Sequence, residues 1–159
     1  MDDRFNFQKF LKISYRNLEE ILVDKSLSKF GDALVNFTYS LAKSIVLQMP
    51  TGEKVPDKTL GNALRATALR QQVPPHAKIG TLGDVVEAFL AYMWLTDRLS
   101  LHRIIEILVD GLKHRDLSDR KKERRAASDA YISLLEVSLE ILKNSSIQFM
   151  GHNRETNEK

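Results

Sequence analysis

The chain has 159 residues, of which 43% are hydrophobic, so it is long enough for one domain with a substantial core. It contains no cysteine, which excludes a disulfide framework, a thiolate metal site and a cysteine nucleophile. Its 24 basic and 21 acidic residues give a net charge of +3, a balance compatible with a nucleic-acid partner but not diagnostic of one.

The sequence predicts a series of helices, which are separated by the four prolines at positions 50, 56, 74 and 75. The predicted helices cover, in chain order, about 5–23, 27–48, a segment beginning after Asp57 or Thr59, 84–95, a segment whose N-cap is Ser100, and 118–145. Residues 71–82 are predicted to form a loop because they contain Pro74, Pro75 and Gly80. No segment shows strand alternation, so the predicted fold class is all-α.

Apolar residues on the second predicted helix recur at intervals of three and four, which marks one continuous stripe. Its members are Leu27, Phe30, Leu34, Phe37, Leu41 and Ile45. Other apolar residues lie off this stripe, more than a lone surface helix needs, and we therefore expect a dimer. We predict one domain over 1–150 and a disordered tail over 151–159. The N-terminus does not resemble a signal peptide and no apolar run could span a membrane, so we expect a cytoplasmic protein with no membrane partner.

Two short stretches place acids inside otherwise apolar helical runs. The first, 27–34, reads Leu-Ser-Lys-Phe-Gly-Asp-Ala-Leu and contains Asp32; the second, 83–89, reads Gly-Asp-Val-Val-Glu-Ala-Phe and contains Asp84 and Glu87. Charge among apolar residues is costly unless it is compensated, and a divalent metal ion held by three carboxylates is one compensation. These three acids are therefore candidate metal ligands.

Each stretch also has an alternative interpretation without a metal. Asp32 lies away from the apolar stripe, so it could be an exposed acid on an amphipathic helix. Asp84 and Glu87 are three residues apart at a predicted helix start, which is the spacing of a capping box. The residues alone leave both alternatives open.

The same two stretches resemble the ribonuclease III family. The phrase around Asp32 is similar to the family's Leu-Glu-Phe-Leu-Gly-Asp-Ala signature, and 84–89 is similar to its Asp-x-x-Phe-Glu-Ala-Leu phrase. Residues 55–63 resemble the segment between them, and the likeness extends over roughly 18–110. Short archaeal proteins of this family look most similar, because they share Lys-Phe-Gly-Asp, here 29–32, and a His-Ala-Lys loop, here 76–78.

This resemblance implies an all-helical endonuclease domain that forms a two-fold dimer and uses Mg²⁺, or Mn²⁺, to hydrolyse phosphodiester bonds in double-stranded or structured RNA. Asp32, Asp84 and Glu87 match three of the family's four metal-binding acids. The fourth acid falls on Ser28, and a further signature Glu falls on Lys25. We therefore expect weaker metal binding than in the family, or a substitute acid from elsewhere in the chain.

Basic residues supply candidate RNA contacts. Residues 113–125 contain seven Lys or Arg against three acids, and this local excess suits phosphate binding. The candidates are Lys58, His76, Lys78, Arg120, Lys121, Lys122, Arg124 and Arg125. The alternative is that they are ordinary solvated residues of loops and of a helix start. The length leaves no room for an appended double-stranded-RNA-binding domain, so we expect the helical domain itself to hold the RNA.

Three function classes follow from these features. The first is the metal-dependent endoribonuclease; the others are a non-catalytic RNA-binding paralogue of that fold and an all-α dimeric interaction protein. The sequence does not specify the RNA, the cut position, the number of metal ions, or whether Ser28 abolishes activity.

Overall fold

The structure, a computed structural model, describes residues 6–76, 79–145 and 147. Within these residues there are helices and no strand, which confirms the predicted all-α class. The helices are α1 Phe7–Leu11, α2 Leu18–Leu22, α3 Lys25–Leu47, α4 Asp57–Arg65, α5 Ile79–Leu95, α6 Leu101–Leu112 and α7 Arg120–Lys143, with a 3-10 helix at Ala68–Gln72. No helix in the described ranges is long and apolar enough to cross a membrane. The predicted tail 151–159 and Lys78 lie outside the described residues.

The predicted first helix over 5–23 is wrong, because the structure contains two short helices there. The first, α1, ends where Lys12 adopts a left-handed conformation with φ of 51°, which stops the helical hydrogen bonding. Asn17 then begins α2 by accepting a hydrogen bond from the backbone N–H of Glu20. The helical spacing of apolar residues continues through this break, so it predicted one helix. The capping residues Lys12 and Asn17 divide the segment into two.

The predicted loop over 71–82 is also too long. The 3-10 helix takes up its first residues, and α5 begins at Ile79, upstream of the predicted start at Asp84. The helix continues through Gly80 and Gly83 because other helices pack against α5. This tertiary packing outweighs the low helix propensity of glycine. Asp84 therefore lies inside α5 and does not cap it, so the capping-box alternative is wrong.

The central contact of the fold is between α3 and α5. A side chain on Gly31 would collide with the backbone of Glu87, so only glycine allows the two helices to approach this closely. Most of α5 is buried, including Phe89, Leu90 and Met93. This close approach brings the acid of the first stretch next to the acids of the second.

The apolar stripe of α3 does not face the core as one surface. Leu27 and Leu34 are buried, whereas four members are exposed by 37–55%: Phe30, Phe37, Leu41 and Ile45. The core receives a different set from α3, led by Val35, Tyr39 and Ala42. The helix is long and apolar on two sides, so periodicity alone did not identify which side the other helices cover.

The last two helices enclose the opposite side of the core. Ser100 caps α6 as predicted, accepting a 3.1 Å hydrogen bond from the backbone N–H of Arg103. Asp119 caps α7, which packs against both α4 and α6. The start of α7, where the basic run lies, is thereby placed beside α4.

Candidate functional site

The three predicted acids line one cleft, which we call the acidic cleft. Its volume is about 370 Å³, and it is lined by Ser28, Lys29, Asp32, Lys54, Asp57, Asp84 and Glu87. Its walls come from α3, from the segment before α4, from the first residue of α4 and from α5. The two acidic stretches of the sequence thus meet in space, at the glycine-mediated contact between α3 and α5.

Glu87 is the buried acid of the cleft, with 5% of its surface exposed. The Ser28 hydroxyl donates a 3.2 Å hydrogen bond to its Oε2. The pKa of Glu87 is raised to about 7, first by burial and next by the negative charge of Asp32, with smaller contributions from Asp84 and Asp57, while the Ser28 hydrogen bond lowers it. The cleft therefore contains concentrated negative charge, which favours a cation or a proton.

The other two acids have separate partners. Asp32 is partly buried and accepts a 2.9 Å hydrogen bond from the Asn36 side-chain amide. The alternative of a fully exposed Asp32 is therefore wrong. Asp84 forms an ion pair with the Lys25 ammonium, whose Nζ lies 2.6 Å from Oδ2. Lys25 stands where the resembling family has a signature Glu, so a cation of the chain itself contacts one of the three acids.

The acidic side chains of the cleft offer carboxylate oxygens, which are the ligands that hard divalent cations such as Mg²⁺ and Mn²⁺ prefer. As they are placed, however, no three acidic or histidine side chains among the described residues are grouped closely enough to hold one ion. Asp84 is engaged by Lys25 and Glu87 by Ser28. For one ion to contact all three acids, their side chains would have to lie closer together than they do here.

Three residues that line the cleft were not predicted as site residues from the sequence: Lys29, Lys54 and Asp57. Asp57 is the first residue of α4, and a side chain on Gly83 would meet its Cα and Cβ at 3.3 Å. Glycine at 83 thus lets the start of α4 lie against α5. From the sequence, Asp57 was predicted only as a possible helix start, because its place among the other acids depends on this packing between helices.

Five of the predicted basic residues line a second depression, between α4 and α7, which we call the basic groove. Its volume is about 540 Å³, and its basic lining residues are Lys58, Arg120, Lys121, Arg124 and Arg125. A smaller hollow lies next to both depressions, because it shares Lys54 with the acidic cleft and Arg120 and Arg124 with the groove. This hollow has mixed charge, since Glu53 and Glu123 line it together with the basic residues.

Two other basic candidates among the described residues, Lys122 and His76, do not line this groove. Lys122 forms a 2.7 Å ion pair with Asp116 and lines a neighbouring hollow. His76 is exposed and lines a pocket on the other side of Lys25 and Asp84. The structure thus places Lys58 with the basic run of α7, and His76 lines a separate pocket.

Comparison with known proteins identifies one family. A family model described as Ribonuclease III matches residues 25–144, which is 120 of the 159 residues. The match begins at the first residue of α3, includes all four acids of the cleft and continues through α7. No curated protein matches the chain.

Proposed function

This chain belongs to the ribonuclease III family, and from that premise we propose that it is a metal-dependent endoribonuclease acting on double-stranded or structured RNA. The observation that supports this most is that two surfaces lie near each other. The cleft containing the three family-matching acids and the groove lined by arginine and lysine each share lining residues with one hollow between them.

In this proposal Asp32, Asp84 and Glu87 hold Mg²⁺ or Mn²⁺. When bound, such an ion supplies a water of lowered pKa and neutralises charge that develops on the phosphate. Lys25, which pairs with Oδ2 of Asp84, would share that carboxylate with a bound ion or give it up. Asp57 supplies negative charge on the α4 side, partly replacing the family acid that is absent at Ser28.

The basic groove positions the RNA backbone. Lys58, Arg120 and Arg124 face a duplex whose phosphates are regularly spaced, and such contacts bind without reading sequence. Lys54 continues the positive charge to the edge of the acids. The proposed substrate is therefore recognised by shape and backbone, and binding should weaken steeply as salt concentration rises.

We further propose that the protein acts as a homodimer. The exposed stripe of α3 contains Phe30, Phe37, Leu41 and Ile45, and Leu47 and Met49 near the end of the helix are exposed as well. A second copy of the chain could cover this stripe symmetrically, as the family membership suggests. Two clefts would then face the two strands of one duplex.

A specific observation favours a second candidate, the non-catalytic RNA-binding paralogue. Ser28 and Lys25 occupy the positions of two family acids, and Lys25 pairs with Asp84. The described acids are also not grouped around a single ion position. A protein with these features could keep the basic groove and bind RNA without cutting it.

The experiment that separates these candidates uses labelled double-stranded RNA incubated with Mg²⁺, with Mn²⁺ and with EDTA. We expect metal-dependent cleavage that is lost in Asp32→Asn and in Glu87→Gln, both of which should remain folded by circular dichroism. Glu136→Gln, which removes an exposed acid of α7, is the matched control. Salt-sensitive RNA binding without cleavage in any metal supports the paralogue; absence of both supports the interaction protein.

A further inference from the structure

Three polar side chains of α3, spaced four residues apart, bind the backbone of the segment 51–55 that leads to α4. We call Asn36, Ser40 and Ser44 the docking ladder. The Ser44 hydroxyl accepts a 2.9 Å hydrogen bond from Thr51 N–H, and the Ser40 hydroxyl accepts one of 2.8 Å from Glu53 N–H. The Asn36 carbonyl accepts one of 2.8 Å from Val55 N–H. Every second residue of the segment is thus fixed to α3.

Asn36 differs from the two serines because it also contacts an acid. Its amide nitrogen donates a 2.9 Å hydrogen bond to Oδ1 of Asp32, one turn earlier on α3. The two bonds need opposite ends of the amide, since Val55 N–H requires the oxygen and the carboxylate requires the NH₂ group. The backbone of the segment therefore fixes which way the amide faces, and the amide in turn fixes Asp32.

We propose that Asn36 is a positioning residue that ties the Asp32 carboxylate to the segment that brings Lys54 and Asp57 into the acidic cleft. This inference rests on the proposed function, because it assigns Asn36 a role toward a metal-binding acid. A carboxylate that binds metal through one oxygen gains orientation when its other oxygen accepts a hydrogen bond, and such supporting residues affect metal affinity strongly. Asn36 donates this hydrogen bond, and its amide is oriented for it by the hydrogen bond that it accepts from Val55 N–H.

The test compares Asn36→Ala with Ser40→Ala. Both variants remove a rung of the docking ladder, and only Asn36→Ala removes the hydrogen bond to Asp32. We expect both to lower the melting temperature, and we expect only Asn36→Ala to weaken Mn²⁺ binding, by about 10- to 100-fold in titration calorimetry. In an Asp32→Asn background the same Asn36→Ala change should leave the remaining Mn²⁺ affinity unchanged, because the carboxylate that Asn36 orients is no longer present.

A second measurement needs no metal. In carbon-13 NMR spectra recorded with EDTA, the side-chain carboxyl resonance of Asp32 should move in Asn36→Ala and stay in place in Ser40→Ala. If Asn36→Ala fails to fold, Asn36→Leu keeps the side-chain size and replaces it in both measurements.

The outcomes separate the two proposals. Equal loss of Mn²⁺ affinity in Asn36→Ala and Ser40→Ala, or an unmoved Asp32 resonance, overturns the positioning role and leaves Asn36 as a docking residue only. If the wild-type protein binds no Mn²⁺ and cuts no RNA while the Asp32 resonance still depends on Asn36, the proposed function is wrong and the coupling of Asn36 to Asp32 holds.

Discussion

At the scale of single residues, Glu87 is the most perturbed acid of the cleft. It is buried at the α3–α5 contact, and three neighbouring acids repel its negative charge. Its pKa is about 7, compared with an ordinary value of 4.5. Keeping this side chain ionised at neutral pH therefore costs folding free energy, a cost typical of a site built to bind a cation.

This shift predicts a pH-dependent stability. Between about pH 4.5 and 7 folded Glu87 holds a proton that the unfolded chain has lost, so the free energy of unfolding falls as pH rises through this window. Glu87→Gln removes this cost. We expect the free energy of unfolding of this variant to exceed that of wild type by about 1–2 kcal/mol at pH 8 and to equal it at pH 4. Urea unfolding across this range, without metal, measures the difference. If the stability of Glu87→Gln depended on pH in the same way as that of Glu136→Gln, the raised pKa of Glu87 would be contradicted.

Ser28 gives a second prediction at this scale. Ser28→Glu restores the family acid, but it places a longer charged side chain beside Glu87 in a buried position. Without metal we expect a loss of about 1–3 kcal/mol in stability, from repulsion and overpacking. With Mn²⁺ we expect a larger rise in melting temperature than in wild type, and cleavage at lower metal concentration. Ser26→Glu, exposed on the same helix, is the control and should show neither effect.

At the scale of elements, α3 combines three functions on different sides. One side enters the core, one carries Asp32 and Asn36 toward the cleft, and the third is the exposed stripe. Lys43 adds a tie between elements, because its buried ammonium lies 2.8 Å from Glu53 and 2.7 Å from Glu123 of α7. The segment before α4 and the basic start of α7 are therefore both held against α3.

The α3–α5 contact predicts that Gly31→Ala is severe. In a free helix alanine is preferred over glycine by about 1 kcal/mol. At Gly31 the added methyl group would collide with the backbone of Glu87, and backbone yields less than a flexible side chain. We expect a net loss of about 2–3 kcal/mol or more in the free energy of unfolding, with the cleft distorted. Gly52→Ala is the matched control, since nothing lies within 4 Å of its added methyl group. Equal stability of the two variants would contradict the close approach.

At the scale of the whole molecule, the exposed apolar stripe is the feature that a single chain does not explain. Phe37 is 55% exposed and Ile45 49%, on a helix whose other sides are well packed. Phe30 is held in place, because its ring stacks on Trp94 with the centroids 5.9 Å apart. An ordered apolar surface of this kind is typical of an interface between proteins.

We therefore expect Phe37→Lys to disrupt the proposed dimer. In a two-fold interface each substitution occurs twice, so a loss of about 2 kcal/mol per side chain acts at two places. Sedimentation at micromolar concentration should change from dimer to a monomer near 18.2 kDa. Val23→Lys, which changes an even more exposed apolar residue outside α3, should remain dimeric. A wild-type monomer under these conditions would contradict the proposal.

The sequence by itself determined the all-α class, the approximate positions of α3, α4, α6 and α7, and the family. Local signals suffice for these, because helical periodicity, capping residues such as Ser100 and short family phrases all lie within a few residues of one another. The same signals failed where local chemistry and packing disagreed, at Lys12 inside the first predicted helix and at the start of α5.

Only the tertiary structure decided which residues share the site. Asp57 reaches the acids because Gly83 admits the start of α4, and Asn36 is bound to Asp32 on one end and to Val55 on the other. Lys58 joins Arg120 because α4 packs on α7. Except for the contact between Asn36 and Asp32 within α3, these pairings depend on how segments far apart in the chain pack, and such contacts leave no periodic signal in the sequence.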